Sequence, residues 1–254
     1  MTHPWFDHPG PIAIAHRGGA GVEPENTMRA FRRAVDEGYR WLETDVHATA
    51  DGHLVAFHDA SLDRVTDRSG RIAELPWSEV RAARVAGTEP IPLLTELLEE
   101  FPDARFSVDD MADAAVDPLL DVIFRTGSLD RLCFWAFSDA RLRRIRSALG
   151  AGACVGLGPT ATGALAVRSS GFPVPVPTAD TADCVQPPFS FRGRRIVTRR
   201  YVETAHRLGL AVVVWTVDDE EDMRRALDLG VDAVITDEPG RLRAVLESRG
   251  DWYP

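Results

Sequence analysis

Two histidines and two carboxylates in the first sixty residues have the types and spacing of a catalytic site. His16 and His58 each follow an apolar run of four residues. Between them, Glu43 and Asp45 stand two residues apart in a largely apolar segment, so a strand would point both carboxylates to the same side. Because two buried like charges repel each other, we expect a positive group between them. The pattern predicts a metal-assisted enzyme.

The elements that must position these residues form an alternating series. Amphipathic segments with helical spacing follow many of the apolar runs, which predicts helices laid on a mainly parallel sheet. A chain of 254 residues suits one (β/α)₈ TIM barrel, for which ~250 residues are typical. We therefore predict an α/β protein with a single barrel domain over 1–254. The predicted strands are 11–16, 40–46, 54–58, 104–109, 131–137, 152–157, 183–187, 211–217 and 232–236.

Nine strands are one too many for this barrel, and a turn signal accounts for the excess. Asp51-Gly52 lies between two extended runs, which favours a two-residue hairpin. Residues whose numbers add to 103 would then pair, and Asp45 would lie opposite His58. We therefore predict that 54–58 returns as a hairpin arm near the barrel mouth, leaving eight strands for the barrel.

The segment 59–92 is the least regular part of the sequence and is expected to form a loop or small insertion over the mouth. In barrel enzymes, reactive groups lie at the carboxyl ends of the strands. Glu43 and Asp45 lie near the end of the second predicted strand, and Asp109 ends the fourth. Alternation puts Asp110 on the opposite face. Three converging carboxylates would suit one hard divalent cation, Mg²⁺ or Ca²⁺.

Other side chains at the same end complete the predicted site. His16 and His58 would flank the cation and are suited to acid–base catalysis near neutral pH. Arg17 offers a fork-shaped donor for a phosphate group. Trp215 is interpreted either as a wall for the substrate or as barrel filling. His47 shares the face of Glu43 but is expected on the solvent side of the hairpin.

Composition excludes several other functions. The net charge of −10 argues against a nucleic-acid surface or a polybasic membrane anchor. All 29 basic residues are Arg, so a Schiff-base or phosphate-loop lysine is absent. The three cysteines lack metal-site spacing and are expected to be inert core thiols. There is no signal-like start and no apolar run near the ~20 residues of a membrane span. We expect a cytoplasmic protein without stable membrane insertion.

From about residue 11 to 246, the sequence resembles the glycerophosphodiester phosphodiesterases. The resemblance is most specific in the first half and continues in register later. It is carried by His16-Arg17-Gly18, Pro24-Glu25-Asn26-Thr27, Glu43-Thr44-Asp45-Val46, Asp51-Gly52 and His58-Asp59, then by Phe137-Ser138, Gln186-Pro187, Trp215-Thr216-Val217, Gly230-Val231-Asp232 and Thr236-Asp237.

The resemblance implies a TIM barrel that hydrolyses a small-molecule glycerophosphodiester to glycerol 3-phosphate and an alcohol. By the same resemblance, His16 and His58 are the acid–base pair and Arg17 contacts the phosphate. The ligands of the divalent cation are Glu43, Asp45 and Asp109.

One departure from the family leaves alternatives open. Met111 stands where the family usually has Lys, so a weakened or retuned enzyme is expected. The alternatives are a phosphodiesterase acting on lysophospholipids and a non-catalytic, phosphodiester-binding paralogue. A glycoside hydrolase is disfavoured, because it would need its two acids on different strands. Glu43 and Asp45 on one strand fit metal binding better.

Overall fold

A computed structural model of the chain describes residues 3–178, 180–191 and 193–254. Its strands are β1 (Ile12–Ala15), β2 (Trp41–Ala48), β3 (Leu54–Ala56), β4 (Arg84–Val85), β5 (Glu89–Pro90), β6 (Arg105–Asp110), β7 (Leu132–Trp135), β8 (Cys154–Val155), β9 (Cys184–Val185), β10 (Ser190–Phe191), β11 (Arg194–Arg195), β12 (Ala211–Val214) and β13 (Ala233–Thr236). Its helices are α1 (Met28–Asp36), α2 (Trp77–Val80), α3 (Leu94–Glu100), α4 (Val116–Thr126), α5 (Asp139–Leu149), α6 (Pro159–Ser169), α7 (Arg199–Arg207), α8 (Glu220–Asp228) and α9 (Pro239–Arg249).

Within those described residues, eight parallel strands form a nearly closed barrel in the order β8-β7-β6-β2-β1-β13-β12-β9. A single parallel bridge between Gly156 and Cys184 joins the two ends of this series. The predicted (β/α)₈ architecture is confirmed. Several strands are shorter than predicted, because the apolar runs continue into the loops at the ends of the barrel.

The first and last strands of the barrel are neighbours. β1 pairs with β13 over its whole length, from Ile12 beside Ala233 to Ala15 beside Thr236. The residues that follow these two strands, His16 and Asp237, therefore emerge side by side at one end of the barrel.

The predicted hairpin is present, but its register is wrong by one residue. β3 pairs antiparallel with β2, with His47 opposite Val55, so paired numbers add to 102. The turn has three residues between Thr49 and His53, and Gly52 takes a positive φ of 83° that favours glycine. Asp45 consequently bonds to Phe57 through its carbonyl, at 2.9 Å, rather than lying opposite His58.

Alternate residues of the strands pack into two apolar layers. Ile12 and Ile14 belong to a cluster inside the barrel, whereas Ala13 and Ala15 pack outward with the helices. The interior cluster includes Cys133, Cys154 and Cys184, which are buried and free. Trp5 and Phe6 also belong to it, and the Trp41 indole donates to the Trp5 carbonyl at 3.1 Å. The segment before β1 thus supplies part of the core.

The predicted insertion has a small core of its own. Within 59–92 the chain forms α2 and the two-stranded pair β4–β5. Its apolar side chains pack against Val55 and Phe57 of the hairpin arm, and they are Leu62, Ile72, Val80, Ala83, Val85 and Ile91. This packing holds the insertion against the carboxyl end of β2. Across the described residues, no helix combines the length and apolar character that crossing a membrane requires. A single domain over 1–254 stays a prediction.

Candidate active site

A cavity of about 110 Å³ opens at the carboxyl ends of the barrel strands. All seven residues predicted for the site line it: His16, Arg17, Glu43, Asp45, His58, Asp109 and Trp215. Five further residues that the sequence had not assigned to it also contribute: Ser107, Trp135, Phe137, Gln186 and Ile235. A larger cavity of about 390 Å³ lies beside α5 and α6 and contains no histidine. Chemistry therefore identifies the smaller cavity as the candidate site.

The three carboxylates lie on two neighbouring strands. Asp45 of β2 is in register with Asp109 of β6, and Glu43 is in register with Ser107. Burial, followed by the charge of Asp45, raises the pKa of Glu43 from 4.5 to about 7. Burial and the charges of Asp45 and Glu43 raise the pKa of Asp109 well above its ordinary value. Ionising all three carboxylates together is therefore less favourable here than in water.

These carboxylates have the donor chemistry that a hard divalent cation needs. Asp109 Oδ1 is buried without a hydrogen-bond partner, and burial together with the neighbouring carboxylates raises the pKa of Glu43 and of Asp109. A bound cation would offset both effects. Among the described residues, however, no three His, Cys, Asp or Glu side chains are already arranged as a cage for a metal ion. The donor set fits a cation, while the side chains are not yet in a ligating arrangement.

Arg17 connects two of the carboxylates in a strained backbone conformation. Its φ of 50° lies in the left-handed region that non-glycine residues seldom occupy. In this conformation its backbone N–H donates to Glu43 Oε2 at 2.9 Å, and its Nε lies 3.1 Å from Asp45 Oδ2. Its Nη1 donates to Glu25 at 3.0 Å. The guanidinium thus lies among the carboxylates that line the cavity.

His16 is oriented by Asp237, which follows β13. His16 Nδ1 lies 2.7 Å from Asp237 Oδ1, and Nδ1 donates because a carboxylate only accepts. Burial opposes protonation of His16, but Glu43, 3.8 Å away, and the Asp237 hydrogen bond outweigh it and raise its pKa. The other ring nitrogen, Nε2, lies toward Glu43 in the cavity.

His58 has a corresponding partner in Asp59. Its Nδ1 lies 2.6 Å from Asp59 Oδ1. The His58 carbonyl is contacted by His47 Nε2 at 3.0 Å, and His47 is buried. The expectation that His47 faces solvent is therefore wrong. Burial lowers the pKa of His47, so it is a neutral support beneath the loop that carries His58.

Arg64, from the insertion, joins the two sides of the site. Its guanidinium donates to both oxygens of Glu25, at 2.8 and 2.7 Å, and to Asp59 Oδ2 at 2.5 Å. Hydrogen bonding to Arg64 is the main cause that lowers the pKa of Asp59 to about 2. Glu25 in turn holds Arg17, so one side chain braces both Arg17 and the carboxylate that orients His58.

Replacing Arg64 with alanine is expected to lower kcat/KM by about 10-fold or more, since hydrogen bonds to charged groups are worth 1.5–3 kcal/mol. Glu25 and Asp59, which contact Arg17 and His58, would lose the guanidinium that holds them in place. Steady-state kinetics measures the effect. The matched control is Arg71→Ala, an exposed arginine of the same insertion that pairs with Glu74. Equal kinetics for the two variants would contradict the bracing role.

An aromatic wall faces the acidic side of the cavity. Ring centroids are 4.4 Å apart for Trp135 and Phe137 and 5.9 Å apart for Trp135 and Trp215. The Trp215 indole donates to the Gln186 carbonyl at 2.7 Å, which fixes its ring. Phe137 is 56% exposed. Trp215 therefore belongs to the cavity wall, and the apolar part of a ligand can lie against these rings.

Sequence reasoning missed several partners of the site residues. In sequence Asn26 reads most simply as part of a helix start, but its side chain donates to Asp45 Oδ2 at 3.0 Å. Thr27 alone caps α1, accepting from Ala30. Asp59 and Asp237 could have been found from sequence, since each directly follows a predicted strand and such positions lie at the barrel mouth. Nothing local in the sequence distinguishes Arg64 from other surface arginines.

The position of Met111 is beside the site rather than in it. Met111 follows β6 and does not line the cavity. Near this point Arg141 lies 3.6 Å from Asp110 Oδ1, and its charge opposes the rise in the pKa of Asp109. A positive charge is thus present near the end of β6 although the usual lysine is not.

Comparison with known proteins places this geometry in a family. The family model described as "Glycerophosphoryl diester phosphodiesterase family" matches residues 16–241. A probable glycerophosphodiester phosphodiesterase 2 from Mycobacterium tuberculosis is 37% identical, over 99% of this chain and 96% of its own length. The lysophospholipase D GDPD1 of Rattus norvegicus is 27% identical, over 92% of this chain and 86% of its own length.

Solved structures agree with the fold. A putative glycerophosphoryl diester phosphodiesterase from Silicibacter pomeroyi matches with a TM-score of 0.82 at 27% identity, over 97% of each chain. A phosphodiesterase from Oleispira antarctica, solved with the product sn-glycerol-3-phosphate, matches with a TM-score of 0.78 at 24% identity, over 94% of this chain and 97% of its own. The match to the family model and the similarity to the mycobacterial relative together show that the chain belongs to the glycerophosphoryl diester phosphodiesterase family.

Proposed function

We propose that this protein hydrolyses glycerophosphodiesters to glycerol 3-phosphate and an alcohol, with one divalent cation, Mg²⁺ or Ca²⁺. The observation that carries the proposal is that two imidazoles line one acidic cavity and that Nδ1 of each is hydrogen-bonded to a carboxylate. Paired imidazoles of this kind are suited to moving two protons in one displacement.

In this proposal Arg17 binds the phosphate, because its guanidinium can form two parallel hydrogen bonds to phosphoryl oxygens. Its present contacts with Asp45 and Glu25 position it for that exchange. One imidazole takes the proton of the attacking hydroxyl, which belongs either to water or to the substrate's neighbouring glycerol group. In the second route a cyclic phosphate forms as the alcohol leaves, and water then opens it to glycerol 3-phosphate. The other gives a proton to the leaving alkoxide. Asp237 and Asp59 keep the two Nδ1–H groups fixed, so that Nε2 of each ring carries the transferred proton.

Glu43, Asp45 and Asp109 would hold the cation, which when bound would polarise the phosphoryl oxygens and offset their negative charge. The support is their shared cavity, their raised pKa values at Glu43 and Asp109, and the unpartnered oxygen of Asp109.

The direct test is an assay that follows glycerol 3-phosphate release from a panel of glycerophosphodiesters. We expect turnover with added Mg²⁺ or Ca²⁺ and loss of turnover with EDTA. Activity that survives EDTA would contradict the role of the cation. Metal-dependent binding of the diesters without product release would instead identify a non-catalytic paralogue.

The proposed cation site also predicts that stability depends on pH, and this can be measured without substrate. In metal-free protein the pKa of Glu43 rises from 4.5 to about 7 on folding. Between about pH 4.5 and pH 7 the native state holds a proton that the unfolded chain has lost. Unfolding therefore releases a proton, and the free energy of unfolding falls as pH rises through this range. The melting temperature measured in EDTA should fall accordingly. A bound cation should raise it, and more so at the alkaline end. A shallower fall in Glu43→Gln than in the parent would link part of the effect to this residue, while the raised pKa of Asp109 accounts for a remaining slope.

A lysophospholipid substrate is the second candidate. It is favoured by the exposed Phe137 beside Trp135 and Trp215, a surface on which an acyl chain could lie. The rat relative named as a lysophospholipase D points the same way. Including a lysophospholipid in the assay panel, with Phe137→Ala as the variant, separates this substrate from glycerophosphodiesters. A selective loss on the lysophospholipid would support it.

A further inference from the structure

A second cavity, lined by arginines, lies where the end of α6 meets α7. Its volume is about 340 Å³. Arg168 of α6 and Arg200 and Arg207 of α7 all line it, and it shares no lining residue with the candidate active site. We call it the arginine groove.

The grouping of these arginines runs against the charge of the rest of the protein. The chain has 39 acidic residues and a net charge of −10. Elsewhere arginines contact carboxylates, as Arg224 does with Glu220 at 2.7 Å. Over the residues that the structure describes, Arg168, Arg200 and Arg207 make no such ion pair, and the groove has no acidic residue in its lining. Within the described part of the chain, three positive charges are thus gathered with no carboxylate at ion-pair distance.

Neutral groups hold the arginines in place. Arg168 Nη1 donates to the Val174 carbonyl at 2.9 Å, and Arg207 Nη2 donates to Thr204 Oγ1 at 2.9 Å. These contacts orient each guanidinium and leave its other N–H groups available.

Arg200 is packed closely against glycine. A Cβ at Gly171 would lie 3.2 Å from Arg200 Nη2, and Gly171 has a φ of 106° that disfavours other residues. The third guanidinium therefore approaches the backbone of the segment after α6, at the same cavity as the other two.

We propose that the arginine groove is a binding site for a phosphate-bearing anion, either a free phosphomonoester or the headgroup of an anionic lipid. Arginine forks match the oxygen geometry of phosphate and can bind it in a bidentate manner. Phe172, which also lines the groove and is 64% exposed, offers a contact for the apolar part of such a ligand. The site is separate from the proposed hydrolysis and stands whether or not that function holds.

Amide NMR of the full chain tests the proposal, with inorganic phosphate as the probe and chloride at equal ionic strength as the reference. We expect saturable shifts of the Gly171 and Thr204 signals. The double variant Arg200→Ala, Arg207→Ala should weaken that binding about tenfold or more. Arg125→Ala is the control, an exposed helical arginine outside the groove, and it should bind as the parent does.

A second arm adds vesicles of phosphatidylglycerol, with phosphatidylcholine vesicles as the reference. If free phosphate shifts the amide signals, the groove binds small anions. If the protein instead sediments only with anionic vesicles, and the double variant does not, the groove binds a lipid headgroup. An unresponsive groove in both arms, or equal binding by the double variant and the parent, would overturn the proposal. Hydrolysis of glycerophosphodiesters by the double variant should be unchanged, which keeps this test apart from that of the active site.

Discussion

Replacing His58 with alanine is expected to lower kcat by about 10²–10⁴-fold, the usual contribution of a positioned acid or base. The imidazole lines the candidate cavity, and Asp59 fixes its Nδ1, so its loss removes one of the two groups proposed to transfer protons. The effect should fall on kcat rather than on KM, since the change removes a transition-state interaction. Steady-state kinetics on a glycerophosphodiester measures it.

The structure offers a matched control for this variant. His206 also pairs with an aspartate, Asp232, at 2.8 Å, but lies on the outer surface at the end of α7. His206→Ala should keep parental kinetics, and thermal melting should show both variants folded. A kcat for His58→Ala within a few-fold of the parent would remove His58 from the proposed mechanism.

The second large effect is expected from Asp237→Asn. Asp237 contacts His16 Nδ1 at 2.7 Å, and the amide of asparagine could turn and donate to that nitrogen instead. His16 would then carry its proton on Nε2, the wrong tautomer for accepting one. In a serine-protease triad, the equivalent change costs about 10⁴-fold in kcat, and we expect at least about 10²-fold here.

The same substitution should also lower the pKa of His16, because the hydrogen bond to the Asp237 carboxylate is one of the causes that raise it. Imidazole NMR can follow this change without substrate. Asp232→Asn, which alters the surface pair with His206, is the control and should leave both turnover and the pKa of His16 unaltered. A fully active Asp237→Asn variant would show that orientation by this carboxylate is dispensable.

The barrel and the convergence of the site residues could be predicted because both follow from strand ends. Glu43, Asp45 and Asp109 face one cavity as strand alternation requires. The hairpin register could not be obtained in the same way. An Asp-Gly signal does not distinguish a two-residue turn from a three-residue one, and that single residue decides which side chain lies opposite Asp45.

The partners of the site residues were harder to predict for a different reason. Arg64 reaches Glu25 and Asp59 only because the insertion packs on Val55 and Phe57, a tertiary contact that no local pattern records. Asn26 looks like an ordinary helix start in sequence, but in the structure it takes a positive φ of 54° and its side chain donates to Asp45. Such contacts depend on how strands, helices and loops pack together in three dimensions, not on the local sequence of each.

The pairing of β1 with β13 has a consequence for when the protein becomes active. His16 and its carboxylate partner Asp237 lie 221 residues apart in the chain, so a nascent chain lacks the pair until β13 has left the ribosome. If His16 acts as proposed, hydrolysis would begin only after β1 and β13 have paired and closed this side of the barrel.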